Sequence, residues 1–276
     1  MSQDPLSSHY DSEDIAGRIL AALRAAQGAD VPVTAEALAP LDHFHGRGPA
    51  ATTEMATRLD PQEGERILDI GSGIGGPARW MAARFGCHVT GIDLMPAFCR
   101  AAEALNAATG LGARVRILEG SAIDLPFAAA SFDRAYSQNV LMNIADKARF
   151  FHEALRVLKP GGLFAVSCLG AGPEGAPFYP LPWASTPAAS FLSSPEETRQ
   201  DVLAAGFEIL RFEDRTEAAL ASQRKLLEGL ERNGLPALGW HVFMGAERSV
   251  ELQANTARSY LAGRLTSVEV LVRRSG

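Results

Sequence analysis

The sequence predicts an α/β chain in which a mostly parallel, doubly wound sheet carries a helical N-terminal region and a helical cap. Three observations predict it. The stretch Arg66-Ile-Leu-Asp-Ile-Gly-Ser-Gly-Ile-Gly-Gly76 runs an apolar strand pattern into a glycine-dense turn, and an amphipathic helix pattern follows from Ala78 to Phe85. A second strand pattern, Val89-Thr-Gly-Ile-Asp-Leu94, ends in an acidic residue. Beyond it, strand and helix patterns alternate, which is how βαβ units are written.

In chain order, the first sixty residues read as helical. Ile15, Ile19, Leu20 and Leu23 share one face, and Pro32, Pro40 and Pro49 punctuate the rest of that region. Strands are predicted near 66–70, 88–93, 114–119, 132–137 and 162–168, with helices over 76–85, 96–109 and 146–158. The loop 170–195 is rich in Gly and Pro and carries Phe178, Tyr179 and Trp183. A helix over 195–205 and a strand over 207–212 come next. Residues 216–262 are mostly helical, broken around Asn233-Gly-Leu-Pro236 and Gly239, and 264–272 form a seventh strand. The chain thus divides into a helical region 1–60, a ligand-binding domain 61–215 with 263–276, and a helical insertion or cap 216–262.

The glycine turn is where chemistry enters. Gly71, Gly73, Gly75 and Gly76 let the backbone turn sharply and approach a ligand. The helix behind them offers unpaired amides at the carboxyl edge of a parallel sheet. Asp93, about twenty residues on, can accept hydrogen bonds from ribose hydroxyls. Gly71, Gly73 and Gly76 also fit the dinucleotide pattern GxGxxG, so an NAD-dependent oxidoreductase is one reading. Asp69 points elsewhere, because a carboxylate just before the turn can receive an ammonium group, which NAD lacks.

Bulk properties narrow the classes. A formal charge of −6 gives no basic footprint for nucleic acid. No apolar run approaches a membrane span, and the N-terminus from Met1 to Asp14 is polar and acidic. Cys87, Cys99 and Cys168 are isolated, without metal-ligand or disulfide spacing; Cys87 and Cys168, in or beside strand patterns, read as small buried hydrophobes, and the protein as cytoplasmic.

Three further runs decide between the nucleotides: Gly120-Ser-Ala-Ile-Asp-Leu-Pro-Phe127, Ser131-Phe-Asp-Arg-Ala-Tyr-Ser-Gln138 and Leu155-Arg-Val-Leu-Lys-Pro-Gly-Gly-Leu163. With the glycine turn and Asp93 they make the chain resemble class I S-adenosylmethionine-dependent methyltransferases from about Gly64 to about Phe212. The segment Asp42-His-Phe-His-Gly-Arg-Gly-Pro-Ala-Ala-Thr52 adds a likeness to the ubiquinone/menaquinone and sarcosine/dimethylglycine type. The resemblance implies a seven-stranded Rossmann-like methyltransferase fold whose last strand is antiparallel beside the sixth, with 216–262 over the cofactor edge. It implies S-adenosyl-L-methionine as cofactor and a small molecule as acceptor, with self-association left open.

Carried over position by position, the resemblance gives Asp69 and the Gly71-Ser72-Gly73 to Gly75 backbone to the methionine end of the cofactor. Asp93 goes to the ribose, Leu94 to the adenine face, and Ser121 with Ala122 to the adenine amino group. Ser121 departs from the acidic residue usual there and can accept a hydrogen bond only without charge. Gln138 and Asn139, at the end of the fourth strand, would face the sulfonium and the acceptor; sarcosine-type relatives often have an acid where Asn139 stands. Asn143 replaces a His found in many relatives, and an Asn cannot act as a base. If a base is used, His45, His152 and His241 are candidates, His45 foremost and His152 with a packing or surface role. Phe178, Tyr179, Trp183 and Trp240 form either a cation–π cage for a methylated ammonium or an apolar lid. A catalytically inactive cofactor-binding protein is the remaining reading, and Asn143 is its argument.

Overall fold

The computed structural model describes residues 14–43 and 45–276. The polar stretch before Asp14 and Phe44 beside His45 lie outside the described residues. The strands are β1 Arg66–Ile70, β2 His88–Asp93, β3 Val115–Glu119, β4 Phe132–Gln138, β5 Leu158–Ala171, β6 Phe207–Asp214 and β7 Leu265–Arg274. They form one sheet in the order β3-β2-β1-β4-β5-β7-β6. The first five are parallel, and β7 runs antiparallel between β5 and β6. This is the seven-stranded, doubly wound sheet that the sequence predicts.

Helices cover both faces. Among the described residues, three precede the sheet: α1 Ile15–Gln27, α2 Ala35–Asp42 and α3 Gly48–Leu59. Four alternate with strands: α4 Gly76–Phe85, α5 Pro96–Ala108, α6 Lys147–Val157 and α7 Pro195–Ala204. The long segment between β6 and β7 holds α8 Thr216–Asn233, α9 His241–Met244 and α10 Ala246–Leu261. Strand residues alternate between the two faces. Leu68 and Ile70 join Phe150, Phe151, Phe164 and Phe207 in one core, under α6 and α7. Ile67 joins Met55, Leu59, Met81, Val89 and Tyr136 in the other, under α3 and α4. A third cluster packs α1 and α2 on α5 and α9 through Ile19, Leu38, Leu105 and Phe243.

One boundary differs from the periodicity. β5 spans Leu158–Ala171, whereas the prediction is 162–168. Its pairing with β4 jumps from Phe132↔Leu158 to Arg134↔Leu163, so Lys159 to Gly162 bulge out opposite Asp133. Lys159 Nζ fastens the bulge by a 2.5 Å contact to Asp133 Oδ1. A Pro-Gly-Gly run reads as a strand break, yet pairing resumes on both sides of it.

The N-terminal region is locked to the sheet beneath the glycine turn. A Cβ on Gly76 would lie 2.4 Å from Asp42 O, so α4 begins pressed against the end of α2. Arg79, fully buried, donates to Asp42 Oδ2 at 2.9 Å, Ile74 O at 2.7 Å and Asn106 Oδ1 at 2.9 Å. Asp42 Oδ1 lies 2.9 Å from His43 Nδ1. Burial alone would raise the Asp42 carboxyl, but the His43 hydrogen bond and the Arg79 charge outweigh it and hold it below the usual range. This buried ionic group ties α2, α4 and α5 into one piece.

Candidate active site

Strand order reverses between β1 and β4, and a ligand crevice is expected outside the carboxyl ends of strands at such a point. A cavity of about 490 Å³ opens there, within the range of small-molecule pockets. The β1–α4 turn supplies one wall through Gly71, Ser72 and Gly73. Gly71 has φ +79°, and a Cβ on it would lie 2.2 Å from Val140 Cγ2, so the turn fits against the end of β4 only with glycine there.

Asp69 and Tyr136 are register partners on adjacent strands, pointing to the same face. The Tyr136 hydroxyl donates to Asp69 Oδ2 at 2.8 Å. Burial pushes the Asp69 carboxyl up to about 8; the tyrosine bond opposes this and the Asp93 charge adds to it. Asp93 accepts from Gly73 N at 2.7 Å and Met95 N at 2.9 Å, joining the end of β2 to the glycine turn. Beside it Leu94 lines the cavity with 51% of its surface exposed, an apolar face open to a ligand.

At the end of β4, Gln138 and Asn139 both line the cavity. Asn139 takes φ +54°, a left-handed conformation that Asn tolerates, and its N–H donates to Ser167 O at 2.7 Å. Asn143 also lines it, but its Nδ2 donates to Trp183 O at 3.0 Å. That amide holds the Trp183 turn in place. His45 lines the cavity, with Nε2 3.1 Å from Thr52 Oγ1. Burial and the neighbouring His43 push its imidazole down to about 4. At neutral pH it is uncharged and a weak base.

One part of the lining is apolar, where Met142, Leu169, Trp183 and Tyr260 pack together; Trp240 and Met244 also line the cavity but pack with Met95 and Phe98, beside Leu94. Polar exceptions include Glu269 of β7 and Arg47, which leads into α3; Arg47 Nη1 lies 3.3 Å from Glu269 Oε1. Arg58, Arg215, Glu54 and Glu213 complete the ionic network that fastens α3 to β6 and β7.

Three acceptor-side expectations, Phe178, Tyr179 and His241, and one cofactor expectation, Gly75, fall outside the lining. Phe178 is turned away, stacked under Arg258 and Arg264 at 3.7 and 4.3 Å from its ring centre. His241 starts α9, half-buried, without reaching the cavity. Gly75 is the residue before α4, behind the turn, with Arg79 against it. Of the other aromatics, Tyr179 packs on the cluster around Trp183 and is not a lining residue, while Trp183 and Trp240 are. Exposed His152 sits on α6. Ser121 and Ala122 do line the cavity, and Ser121 Oγ accepts from Ile123 N at 3.3 Å. Thr52, Tyr136, Arg47 and Glu269 carry no local sequence signal as site residues, since their roles depend on partners far along the chain.

A family model described as "Methyltransferase domain" matches residues 68–166. A glycine/sarcosine/dimethylglycine N-methyltransferase of Actinopolyspora halophila is 30% identical over 209 residues, 76% of this chain and 36% of that protein. The chain carries a methyltransferase domain. An O-methyltransferase of Aspergillus sclerotiorum is 35% identical over 169 residues, 59% of this chain and 62% of that protein. The chain therefore spans less than two thirds of the length of these curated relatives. Among solved structures, the [4+2]-cyclase SpnF superposes with a TM-score of 0.68 at 25% identity, covering 86% of this chain and 89% of its own.

The site fits S-adenosylmethionine in its donor set. Ser72 Oγ is buried at the glycine turn without a hydrogen-bond partner, an orphan that a polar ligand group would satisfy. Asp69 offers a carboxylate for an ammonium, Asp93 has acceptor capacity left for ribose hydroxyls, and Leu94 an apolar face for a base. Gly71→Ala is expected to lower the melting temperature by several degrees and to weaken S-adenosylhomocysteine binding. A thermal melt with and without that ligand checks both; an unchanged melt would show that Val140 yields freely.

Proposed function

We propose that this methyltransferase transfers a methyl group from S-adenosylmethionine to a small-molecule acceptor with a largely apolar body. One observation carries the reading: a single cavity runs from the glycine turn, past Gln138 and Asn139, to the apolar end at Trp183 and Tyr260. When bound, S-adenosylmethionine supplies an electrophilic methyl on a positive sulfur. The chain's own task is then orientation and exclusion of water. Asp69 receives the ammonium, Asp93 the ribose, and Ser121 the adenine edge. Asn143 keeps Trp183 against the acceptor, and His45, neutral and weakly basic, positions its neighbours.

The apolar-lid form of the acceptor pocket is favoured over an aromatic cage, because Phe178 is committed to two arginines. Cytoplasmic placement goes with this reading and is supported by three buried free cysteines. Among the described residues no helix is long and apolar enough to cross a membrane. The cyclase likeness favours one second reading, a cofactor-binding fold turned to another reaction, since fold alone does not fix chemistry.

Titration calorimetry with S-adenosylhomocysteine and, separately, NAD tests the cofactor; selective binding of NAD would overturn the reading. Methyl-labelled S-adenosylmethionine with a pooled metabolite extract then tests the transfer. Asp93→Ala is expected to weaken S-adenosylhomocysteine binding by about a hundredfold, because the ribose loses its acceptor and Gly73 its anchor. Unchanged affinity in a folded variant would remove the ribose assignment.

A further inference from the structure

Three glutamines line the cavity, and each leaves one buried amide atom without a hydrogen-bond partner: Gln138 Nε2, Gln223 Oε1 and Gln253 Oε1. Gln138 and Gln253 are only 9% and 6% exposed. Buried polar atoms are rarely left unpaired, and those in a ligand cavity point to groups on the ligand. Gln138 is the best defined of the three. Its Oε1 accepts from Thr52 Oγ1 at 3.2 Å, and Thr52 is fully buried. With the Thr52 proton so used, its oxygen accepts from His45 Nε2, 3.1 Å away, in the Nε2–H tautomer, which leaves Nδ1 without a proton for Gly46 O at 3.3 Å. In that tautomer the His45–Thr52–Gln138 chain leaves the amide N–H as the free end, beyond the last register pair of β1 and β4.

We propose that Gln138, positioned by Thr52 and His45, reads a hydroxyl oxygen of the acceptor. Gln223 and Gln253 take the protons of further hydroxyls, so the acceptor is a hydroxylated, otherwise apolar molecule. This rests on the methyltransferase reading above. An N–H donor needs a lone pair opposite it, which a hydroxyl has and an ammonium lacks. Trp183, Met142 and Leu169 supply the apolar surface around that contact.

The test uses two probes with one ring system, 2-naphthol and 2-naphthylmethylamine, titrated into protein saturated with S-adenosylhomocysteine. Binding of S-adenosylhomocysteine by the parent is measured first, and its absence would sink the methyltransferase reading itself. With that ligand bound, 2-naphthol is expected to bind roughly tenfold or more tightly than the amine. Gln138→Leu and Thr52→Val should each remove that preference while leaving S-adenosylhomocysteine affinity unchanged, and Thr52→Ser, which keeps the hydroxyl, should restore it. Equal affinity for the two probes, or no binding of either, overturns the inference. So does a Gln138→Leu protein that retains the preference, or one that loses S-adenosylhomocysteine instead, since the amide would then serve the cofactor.

Discussion

Arg79→Met is expected to cost about 3–5 kcal/mol of folding stability, the usual penalty for stranding one member of a buried ion pair. Domain stabilities run to only about 5–15 kcal/mol, so the variant should stand near the edge of folding. Three losses combine. Asp42 keeps its charge with only His43 beside it, Ile74 O loses a donor, and Asn106 loses the group that holds its amide oxygen. Urea unfolding followed by circular dichroism would measure the shift in midpoint. The double variant Arg79→Met with Asp42→Asn should recover part of the loss, because the stranded charge goes with its partner. A single variant within about 1 kcal/mol of the parent would mean that water reaches Asp42 and that the buried group does not lock the helices together.

Asp69→Asn should act on stability and binding in opposite directions. In the folded protein without ligand the carboxyl titrates at about 8, against an ordinary value of 3.8. Between those values the folded state holds a proton that the unfolded state has released, so stability falls as pH rises through that window. Each unit of upward shift is worth about 1.4 kcal/mol. Asn cannot ionise, and above pH 8 the variant should therefore unfold at higher urea concentration than the parent, with the difference shrinking toward pH 4. Binding follows the reverse logic. An ammonium beside Asp69 favours the charged form, so S-adenosylhomocysteine should release a proton near pH 7 and bind more tightly as pH rises toward 8. Calorimetry in buffers of different ionisation enthalpy would count that proton. If the Asn variant shows the same release and the same affinity, Asp69 does not face the ammonium.

Legibility in the sequence tracks the range of each interaction. The glycine turn, the acid at the end of β2 and the alternation of strands with helices are local patterns, and the sheet grows from them as expected. The Asn233 to Gly239 break likewise marks the end of α8 and the start of α9. Lys159 to Gly162 misleads, because a bulge and a strand end use the same residues. The cavity lining is legible on the side of the glycine turn, where Asp69, Ser72, Asp93, Leu94 and Ser121 all reach one cavity. It is not legible at the acceptor end. Phe178 has the composition of a cage residue but sits under two arginines from the far end of α10 and the loop beyond it. Arg79 looks like an ordinary polar helix residue, and only the approach of Asp42, thirty-seven positions away, buries it.

The placement of β7 between β5 and β6 has a consequence for how the chain is made. Synthesis runs from the N-terminus, so β6 emerges before its ladder neighbour: among the described residues its sole partner is β7, some fifty residues later. Until then the β5 edge stands open as well, and Glu269, which anchors Arg47 and Arg58, has not been translated. The nascent protein can assemble the five parallel strands and their helices early, but the edge of the sheet and the walls from α8 to α10 close together, in one late event. An interruption before Leu265 would therefore remove one strand from the sequence and two from the sheet.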